Sequence, residues 1–529
     1  MNPLIRALQD PAAYAHPVAA VQVIETHISW VLLTGSLAYK IRKPVQFGFV
    51  DFSTAARRRW FSYEEVRLNR RLAPDLYLGV VPIHGPAERA RMRGEGPVIE
   101  VAVQMRQFDQ GDLLPAVLDR AALSVPQLEA LACDLACFHS GAAIAAADSP
   151  HGTPQQVARP ALANLDTLSA CGPALPELEA LRHWSEAQAE ALAPRFAERL
   201  RQGAVREGHG DLHLGNMVLL RGRVSVFDCL EFSESLRWID VISDMAFLVM
   251  DLRQRGRPDL AGVLLNRWLQ ETGDYQGLEL WRWYLTYRAL VRAKVAALRL
   301  SQSGPDTPGE RIAACGDELR AYLASALDTV QGRSRPQLVI CHGASGSGKS
   351  HLAARLCREL GWIQLRSDLE RRRLFGRASR LLAQPSLAGD PYGPGLRERL
   401  YATELRQAAA AALAAGESLL VDATFLEGRQ RQLFRSLAAR CQAGFSILDC
   451  RISLELAERR IARRRQLGGD PSDADSDVLQ RQWQAREPLT ESEQQHAVVV
   501  ETAAELSAPA WQALLRRLEA GQVPGAPGA

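Results

Sequence analysis

The chain has 529 residues, which at roughly 100 to 200 residues per domain implies about three or four compact units and excludes a single small core. Hydrophobic residues make up 47% and charged residues 23%, an ordinary globular balance that leaves room only for local disorder. A net charge of +3 is too small for a surface coated for nonspecific nucleic-acid binding, and the nine cysteines form no CxxC pair or regular framework. With no signal sequence and no apolar run of about 18 residues, the expectation is a soluble cytoplasmic protein with reduced thiols, no disulfides, no structural zinc and no membrane partner.

In chain order, residues 21–50 alternate apolar and polar side chains around Thr34, Gly35 and Ser36, which predicts an antiparallel hairpin of WVLLTG and LAYKIRKPV. A helix follows over 54–74, with Phe61, Leu68 and Leu72 on one face, Glu65 on that same face, and Pro74 as its stop. LYLGVVPIHG and VIEVAVQM are further strands, so the strand-rich part ends near Met105 and residues 106–111 cross into helical sequence. Residues 146–160 read as a loop, mostly helical sequence leads to HGDLHLGN at 209–216, and MVLLRGRVSVFD is a hairpin turning at Arg221 and Gly222. Helical periodicity returns from about Trp238 and again over 278–300; after a break at 301–310, one more helix runs to about Thr329.

HGDLHLGN sets Asp211 and Asn216 five positions apart, the spacing at which a kinase catalytic loop places a base beside the acceptor hydroxyl and an amide on magnesium. Past the hairpin, Asp228 of VFDCLEF stands where such a fold carries the carboxylate that bridges metal and phosphates. Upstream, Lys40 can hold the phosphates and Glu65 can orient it, with Lys43 and Glu64 as adjacent alternatives. Asp240 and Asp244 fall one helical turn apart, and Asp244 reads as a brace that accepts backbone hydrogen bonds from the catalytic loop. His209 and His213, with no third ligand nearby, read as loop-packing or loop-bonding residues rather than a metal pair.

At these residues the chain resembles the aminoglycoside phosphotransferase family, part of the protein-kinase-like fold, over about residues 20–300. The resemblance implies a small N-terminal lobe, a larger helical lobe, ATP in the cleft, and two magnesium ions held at Asn216 and Asp228. No GxGxxG precedes Lys40, so phosphate cover is expected from the single tight turn at Gly35. Gly210 stands where phosphorylation-controlled protein kinases carry an arginine, and only about ten residues separate Asp228 from the next expected helix. That is too short for an activation loop plus a peptide platform, which favours a small-molecule acceptor.

Beyond a linker at 331–337, strand and helix signals alternate to the last helix, which calls for a parallel sheet covered on both faces. GASGSGKS there follows a strand and opens a helix, the context in which backbone N–H groups wrap phosphates. Gly343, Gly346 and Gly348 let the backbone approach closely, Lys349 reaches the β and γ phosphates, and Ser350 ligates magnesium. Asp422, at the end of a strand, reads as the carboxylate that orients the metal, and Asp368, after the second strand, as the acceptor base. Over about 337–515 the sequence resembles the small P-loop kinases related to gluconate kinase, polynucleotide kinase and zeta-toxin-like proteins. The helix RRIARRR then looks like their arginine-bearing lid, with Arg459 and Arg463 one turn apart.

The expected fold is multidomain, α+β followed by α/β. A bilobal protein-kinase-like domain covers 1–305, with a small lobe at about 20–105 and a helical lobe at about 106–305; a helix and linker cover 306–336. A P-loop domain follows over 337–518, and a disordered tail over 519–529. The expected chemistry is ATP- and Mg2+-dependent phosphoryl transfer at two sites to small-molecule hydroxyl acceptors. A nucleotide-sensing regulatory ATPase with a degenerate kinase domain is the rival. A polynucleotide-type kinase ranks lower, because no aromatic series interleaves with the basic residues.

Overall fold

Alternation of apolar and polar side chains in the first hundred residues builds a five-stranded antiparallel sheet: β1 (Gln22–Glu25), β2 (Ser29–Leu33), β3 (Leu37–Arg42), β4 (Tyr77–His84) and β5 (Val98–Arg106). Its order is β1-β2-β3-β5-β4. Helix α1 (Ala55–Asn69) starts on the Thr54 side chain, which accepts the Arg57 N–H, and lays Val66 against Tyr77 and Val103 of the sheet. Leu32, Tyr39 and Ile83 bury a separate cluster with Ile5, Leu8 and Tyr14 of the N-terminal segment. In the computed structural model the described residues are 2–47, 50–92, 94–171, 176–303, 307–332, 335–381, 393–467 and 475–520.

The following stretch is mainly helical: α2 (Val125–Gly141), α3 (Pro154–Cys171) and α4 (Pro176–Arg201). Residues 154–160 lie in α3 rather than in the loop expected over 146–160. Strand β6 (Val205–Glu207) leads to the catalytic-type loop, and β7 (Met217–Leu220) and β8 (Arg223–Val226) form the expected hairpin. Its turn residues Arg221 and Gly222 have φ of 50° and 80°, the left-handed values a two-residue hairpin turn needs. The helix expected from about Trp238 begins only at Val241. Residues Trp238–Asp240 are instead strand β9, paired antiparallel with β6. Asp240 therefore does not share a helix face with Asp244; its carboxylate takes Arg199 at 2.7 Å through both oxygens. Helices α5 (Val241–Gln254), α6 (Pro258–Thr272), α7 (Trp281–Ser301) and α8 (Gly309–Gln331) complete this part.

The remainder is a five-stranded parallel sheet of β10 (Gln337–His342), β11 (Ile363–Arg366), β12 (Leu419–Asp422), β13 (Gly444–Arg451) and β14 (Ala497–Glu501). Their order is β11-β12-β10-β13-β14, so β10 is the strand from which neighbours are added in both directions. Ligands in such sheets bind beyond the carboxyl ends of the strands at that reversal. Helices α9 (Lys349–Leu360), α10 (Ser367–Leu381), α11 (Gly428–Arg440), α12 (Leu454–Leu467), α13 (Ser476–Gln484) and α14 (Ala508–Ala520) accompany it. One buried cluster joins Leu352 and Leu356 of α9 and Trp511 and Leu514 of α14 to Val339, Leu448 and Val498 of the strands. A helical run through Pro394–Arg399, Leu400–Leu405 and Arg406–Ala414, together with α13, was not foreseen from the sequence. Of the tail expected at 519–529, residues 519 and 520 belong to α14, and the rest lies outside the described residues.

By packing the chain divides into two compact units, against the three or four expected from length: Met1–Pro160 with Phe196–Asp251, and Ala161–Arg195 with Leu252–Ala529. Among the described residues no helix is long and apolar enough to cross a membrane.

Candidate active sites

In the first unit, β3 turns alternate side chains Ala38, Lys40 and Arg42 to one face. Lys40 Nζ donates to Glu65 Oε1 at 2.8 Å and to Asp228 Oδ1 at 3.0 Å. The second oxygen of Glu65 takes Arg42 Nη2 at 2.5 Å, and Arg42 Nη1 reaches Glu231 Oε1 at 2.6 Å. Burial works against the Lys40 ammonium, but Asp228, Glu65 and Glu231 outweigh it and hold its pKa well above the ordinary lysine range. Lys40 in turn holds the Asp228 carboxyl below the ordinary aspartate range, against the effect of burial. The adjacent alternatives go elsewhere: Glu64 pairs with Arg67 at 2.6 Å, and Lys43 with Glu25 at 2.6 Å.

Asp228 adopts φ 62°, a left-handed backbone that is costly for a residue with a Cβ. Its N–H donates to Tyr77 Oη at 3.2 Å, and the next N–H, of Cys229, donates to Asn69 Oδ1 at 2.9 Å. In the loop before it, Asn216 Nδ2 donates to both the carbonyl oxygen and Oδ2 of Asp211, each at 3.0 Å. Asp244 accepts the N–H groups of His209 at 2.7 Å and Gly210 at 2.9 Å, and Asp251 accepts that of Leu214 at 2.9 Å. His209 Nε2 meets the Phe227 carbonyl at 3.0 Å, and His213 Nδ1 accepts the Gly215 N–H at 3.0 Å. Both histidines are thus loop-bonding residues.

Lys40, Tyr77 and Asp228 line a cleft of about 450 Å³ whose apolar walls include Ile24, Val31, Met105 and Phe227. The turn that borders it is Thr26–Ser29, between β1 and β2, where the Thr26 hydroxyl accepts the Ser29 N–H at 2.9 Å. The turn at Gly35, expected to cover phosphates, does not line this cleft; the Gly35 N–H is spent on Gln107 Oε1 at 2.8 Å.

In the second unit the loop after β10 opens α9. A Cβ on Gly343 would lie 2.8 Å from the Cys450 carbonyl, and one on Gly346 would lie 2.7 Å from that of Ala457, so both positions require glycine. Lys349 Nζ donates to the Ala344 carbonyl at 2.7 Å, and Ser350 Oγ to Asp422 Oδ1 at 3.1 Å. Gln364 Nε2 approaches Asp422 Oδ2 at 3.3 Å, and Arg366 Nε lies 3.8 Å from it. Burial pushes the Asp422 carboxyl up, opposed by Arg366 and Lys349. Asp368 pairs with Arg371 at 2.7 Å, and both line a pocket of about 210 Å³ together with Gly346, Gly348, Lys349, Ser350 and Asp422.

The lid arginines need correction. Arg460 and Arg464 line the pocket, whereas Arg459 is exposed and pairs with Glu455, and Arg463 is exposed. Buried Ala457 and Ile461 fix which face of α12 meets the protein. At about 100° per residue, Arg459 and Arg463 stand about 160° from Ile461 on the opposite face, whereas Arg460 and Arg464 lie about 100° and about 60° from it, both on the side of Ala457. Gln482 of α13, also unforeseen, accepts the Ser345 N–H of the phosphate-type loop at 2.8 Å.

The model of the Phosphotransferase enzyme family matches residues 106–281, and that of an AAA domain matches residues 338–489. An uncharacterized protein of Mycobacterium tuberculosis and one of Mycobacterium bovis are each 31% identical over 476 residues, 89% of this chain and 91% of theirs. The chain belongs to this family of phosphotransferases. Among solved structures, a gluconokinase from Sinorhizobium meliloti is 22% identical with a TM-score of 0.27, covering 36% of this chain and 96% of its own. A choline/ethanolamine kinase family protein from Mesorhizobium loti is 14% identical with a TM-score of 0.35, covering 61% and 97%.

Several residues of this phosphotransferase that touch the sites lie outside its sequence motifs. Arg42 carries a usable signal, since positions two apart on a strand share a face and it follows Lys40 by two. Asn69, Tyr77 and Gln364 carry no motif; across long separations in sequence Tyr77 takes the Asp228 N–H, Asn69 the N–H of Cys229 next to it, and Gln364 reaches Asp422. The donor chemistry fits magnesium at both sites. Asn216 commits its nitrogen to Asp211, which leaves its Oδ1 as the oxygen it can offer a cation, and Ser350 Oγ lies beside Asp422.

Proposed function

We propose that the chain binds Mg-ATP at two sites and transfers the γ-phosphoryl group to small-molecule hydroxyl acceptors. The observation that carries this reading is the contact of Lys40 with both Glu65 and Asp228, in a cleft with apolar walls suited to a base and a charged end suited to phosphates.

At the first site Asp211 takes the proton of the acceptor hydroxyl as its oxygen attacks the γ phosphorus and the bond to the β-phosphate oxygen breaks, releasing ADP. Asn216 holds the Asp211 carboxylate through its Nδ2, and Asp244 holds the loop backbone. Lys40, kept charged by its three carboxylates, binds phosphate oxygens. Asn216 and Asp228 would hold magnesium here, and Ser350 and Asp422 at the second site; when bound, the ion neutralises phosphate charge.

At the second site Lys349 exchanges the Ala344 carbonyl for β and γ phosphates, Arg460 and Arg464 add charge-assisted contacts, and Asp368 serves as the acceptor base. Calorimetric titration of the full chain with a nonhydrolysable ATP analogue and Mg2+ tests the reading. Two equivalents are expected, Lys349→Ala losing chiefly one and Asp228→Asn the other. A stoichiometry of one, abolished by Lys349→Ala and untouched by Asp228→Asn, refutes the two-site reading and favours a regulatory ATPase with a degenerate kinase domain.

A further inference from the structure

Strand β11 is an edge strand, with β12 on one side only. The outer peptide groups of such a strand lack a ladder partner. Here a side chain from helix α6 supplies one. Gln364 N donates to Asn266 Oδ1 at 2.7 Å, and Asn266 Nδ2 donates to the Trp362 carbonyl at 2.8 Å. The side-chain amide thus exchanges two hydrogen bonds with the strand, as the peptide of another strand would. A third contact comes from Tyr275, whose Oη lies 3.5 Å from the Gln364 carbonyl. The short asparagine can reach because the helix comes close: a Cβ on Gly262 would lie 3.2 Å from Gly361 Cα.

Gln364 is the residue so held by both its N–H and its carbonyl, and it is buried with its Nε2 directed at Asp422 Oδ2, 3.3 Å away. The opposite oxygen of Asp422 takes the Ser350 hydroxyl. A neutral amide orients the carboxylate without adding to the positive charge that Arg366, 3.8 Å from the same oxygen, already brings to it.

We propose that Asn266 and Gln364 are positioning residues of the P-loop site: Asn266 fixes the register and height of β11, and Gln364 transmits that placement to the carboxylate of Asp422. This rests on the reading that Asp422 serves the magnesium of the second site. Asn266 lies within the part matched by the Phosphotransferase enzyme family, residues 106–281, whereas Asp422 lies within the AAA match, 338–489. The second site is thus completed by a residue of the first match, inside one compact unit.

The test uses the full chain in an Asp228→Asn background, so that binding of a nonhydrolysable ATP analogue reports the P-loop site. The readout is the Mg2+ concentration giving half-maximal binding, with melting temperature measured alongside. Gln364→Met keeps size and removes the donor; the Mg2+ midpoint should rise on the order of tenfold, as for other lost outer-shell contacts, with metal-free nucleotide affinity unchanged. Asn266→Leu should raise it in the same direction. Asn266→Asp keeps the acceptor for Gln364 N and provides a milder variant should the leucine fail to fold; it should give a smaller rise. The double variant Asn266→Leu/Gln364→Met should be no worse in midpoint than Gln364→Met alone, because the two act in series.

Additive effects, or a lower melting temperature with an unmoved midpoint, would overturn the proposal and leave both residues as fold supports. Asp422→Asn is the control. If it leaves the Mg2+ dependence unchanged, the assigned role of Asp422 fails, and the positioning proposal falls with it.

Discussion

Asp244→Asn changes one atom type at a fully buried position and addresses how the catalytic-type loop is held. The two oxygens of Asp244 accept the N–H groups of His209 and Gly210 at 2.7 and 2.9 Å. An amide has one oxygen, so in either orientation one backbone N–H must face an NH2 group. The lost charge-assisted bond is worth about 1.5–3 kcal/mol and the stranded N–H costs about 1–3 kcal/mol. These overlap, and a combined loss of about 3 kcal/mol corresponds to about a hundredfold in local opening. Hydrogen–deuterium exchange should show the amides of His209 and Gly210 exchanging about a hundredfold faster. The Leu214 amide, held separately by Asp251, should change less. Gly208→Ala should reproduce the effect, since its Cβ would lie 2.6 Å from Asp244 Oδ2. Unchanged exchange at 209 and 210 in the asparagine variant would refute the idea that this carboxylate anchors the loop.

Asp211→Asn should lower phosphotransfer at the first site by about 10² to 10⁴-fold with little change in nucleotide affinity, checked by single-turnover assays on any acceptor found for the full chain. Arg460→Gln and Arg464→Gln should each weaken analogue binding at the P-loop site about tenfold or more, while Arg459→Gln and Arg463→Gln should leave it unchanged, as read by calorimetry. Burial holds the imidazoles of His209, His342 and His496 below the ordinary histidine range. The unfolded chain therefore binds more protons just below about pH 6.5, so stability should be lost as pH falls from there through the lowered folded values. Melting temperatures at pH 7.5, 6.5 and 5.5 should fall over the last interval, and His342→Gln should flatten part of the drop.

Those parts whose geometry is local are legible from local patterns in the chain. The hairpin β7–β8 is announced by Arg221 and Gly222, the P-loop by its glycines between strand and helix, and the pairing of Asp211 with Asn216 by their spacing within one loop. Errors arose where a distant partner decides the conformation. Trp238–Asp240 has a helical pattern in isolation but pairs with Val205–Glu207, which lies far away in sequence. On α12 the arginine run is uniform, and only the burial of Ala457 and Ile461 distinguishes which arginines face inward. At Gly35 the glycine signals only freedom of backbone; its N–H is fixed by Gln107, 72 residues later, and not by a phosphate turn.

The clamp on β11 also bears on the order in which the chain is made. Asn266 precedes Gln364 by 98 residues, so on the ribosome the amide that closes the sheet emerges before the strand that needs it. The nascent edge finds its cover waiting. A fragment started at the linker near residue 335 reverses this situation, since β11 then emerges with its outer N–H and carbonyl groups unclaimed. An unclaimed edge recruits other strands, including those of identical molecules. Producing the P-loop part alone should accordingly yield self-associating protein, and the remedy lies upstream, in retaining the helix that carries Asn266.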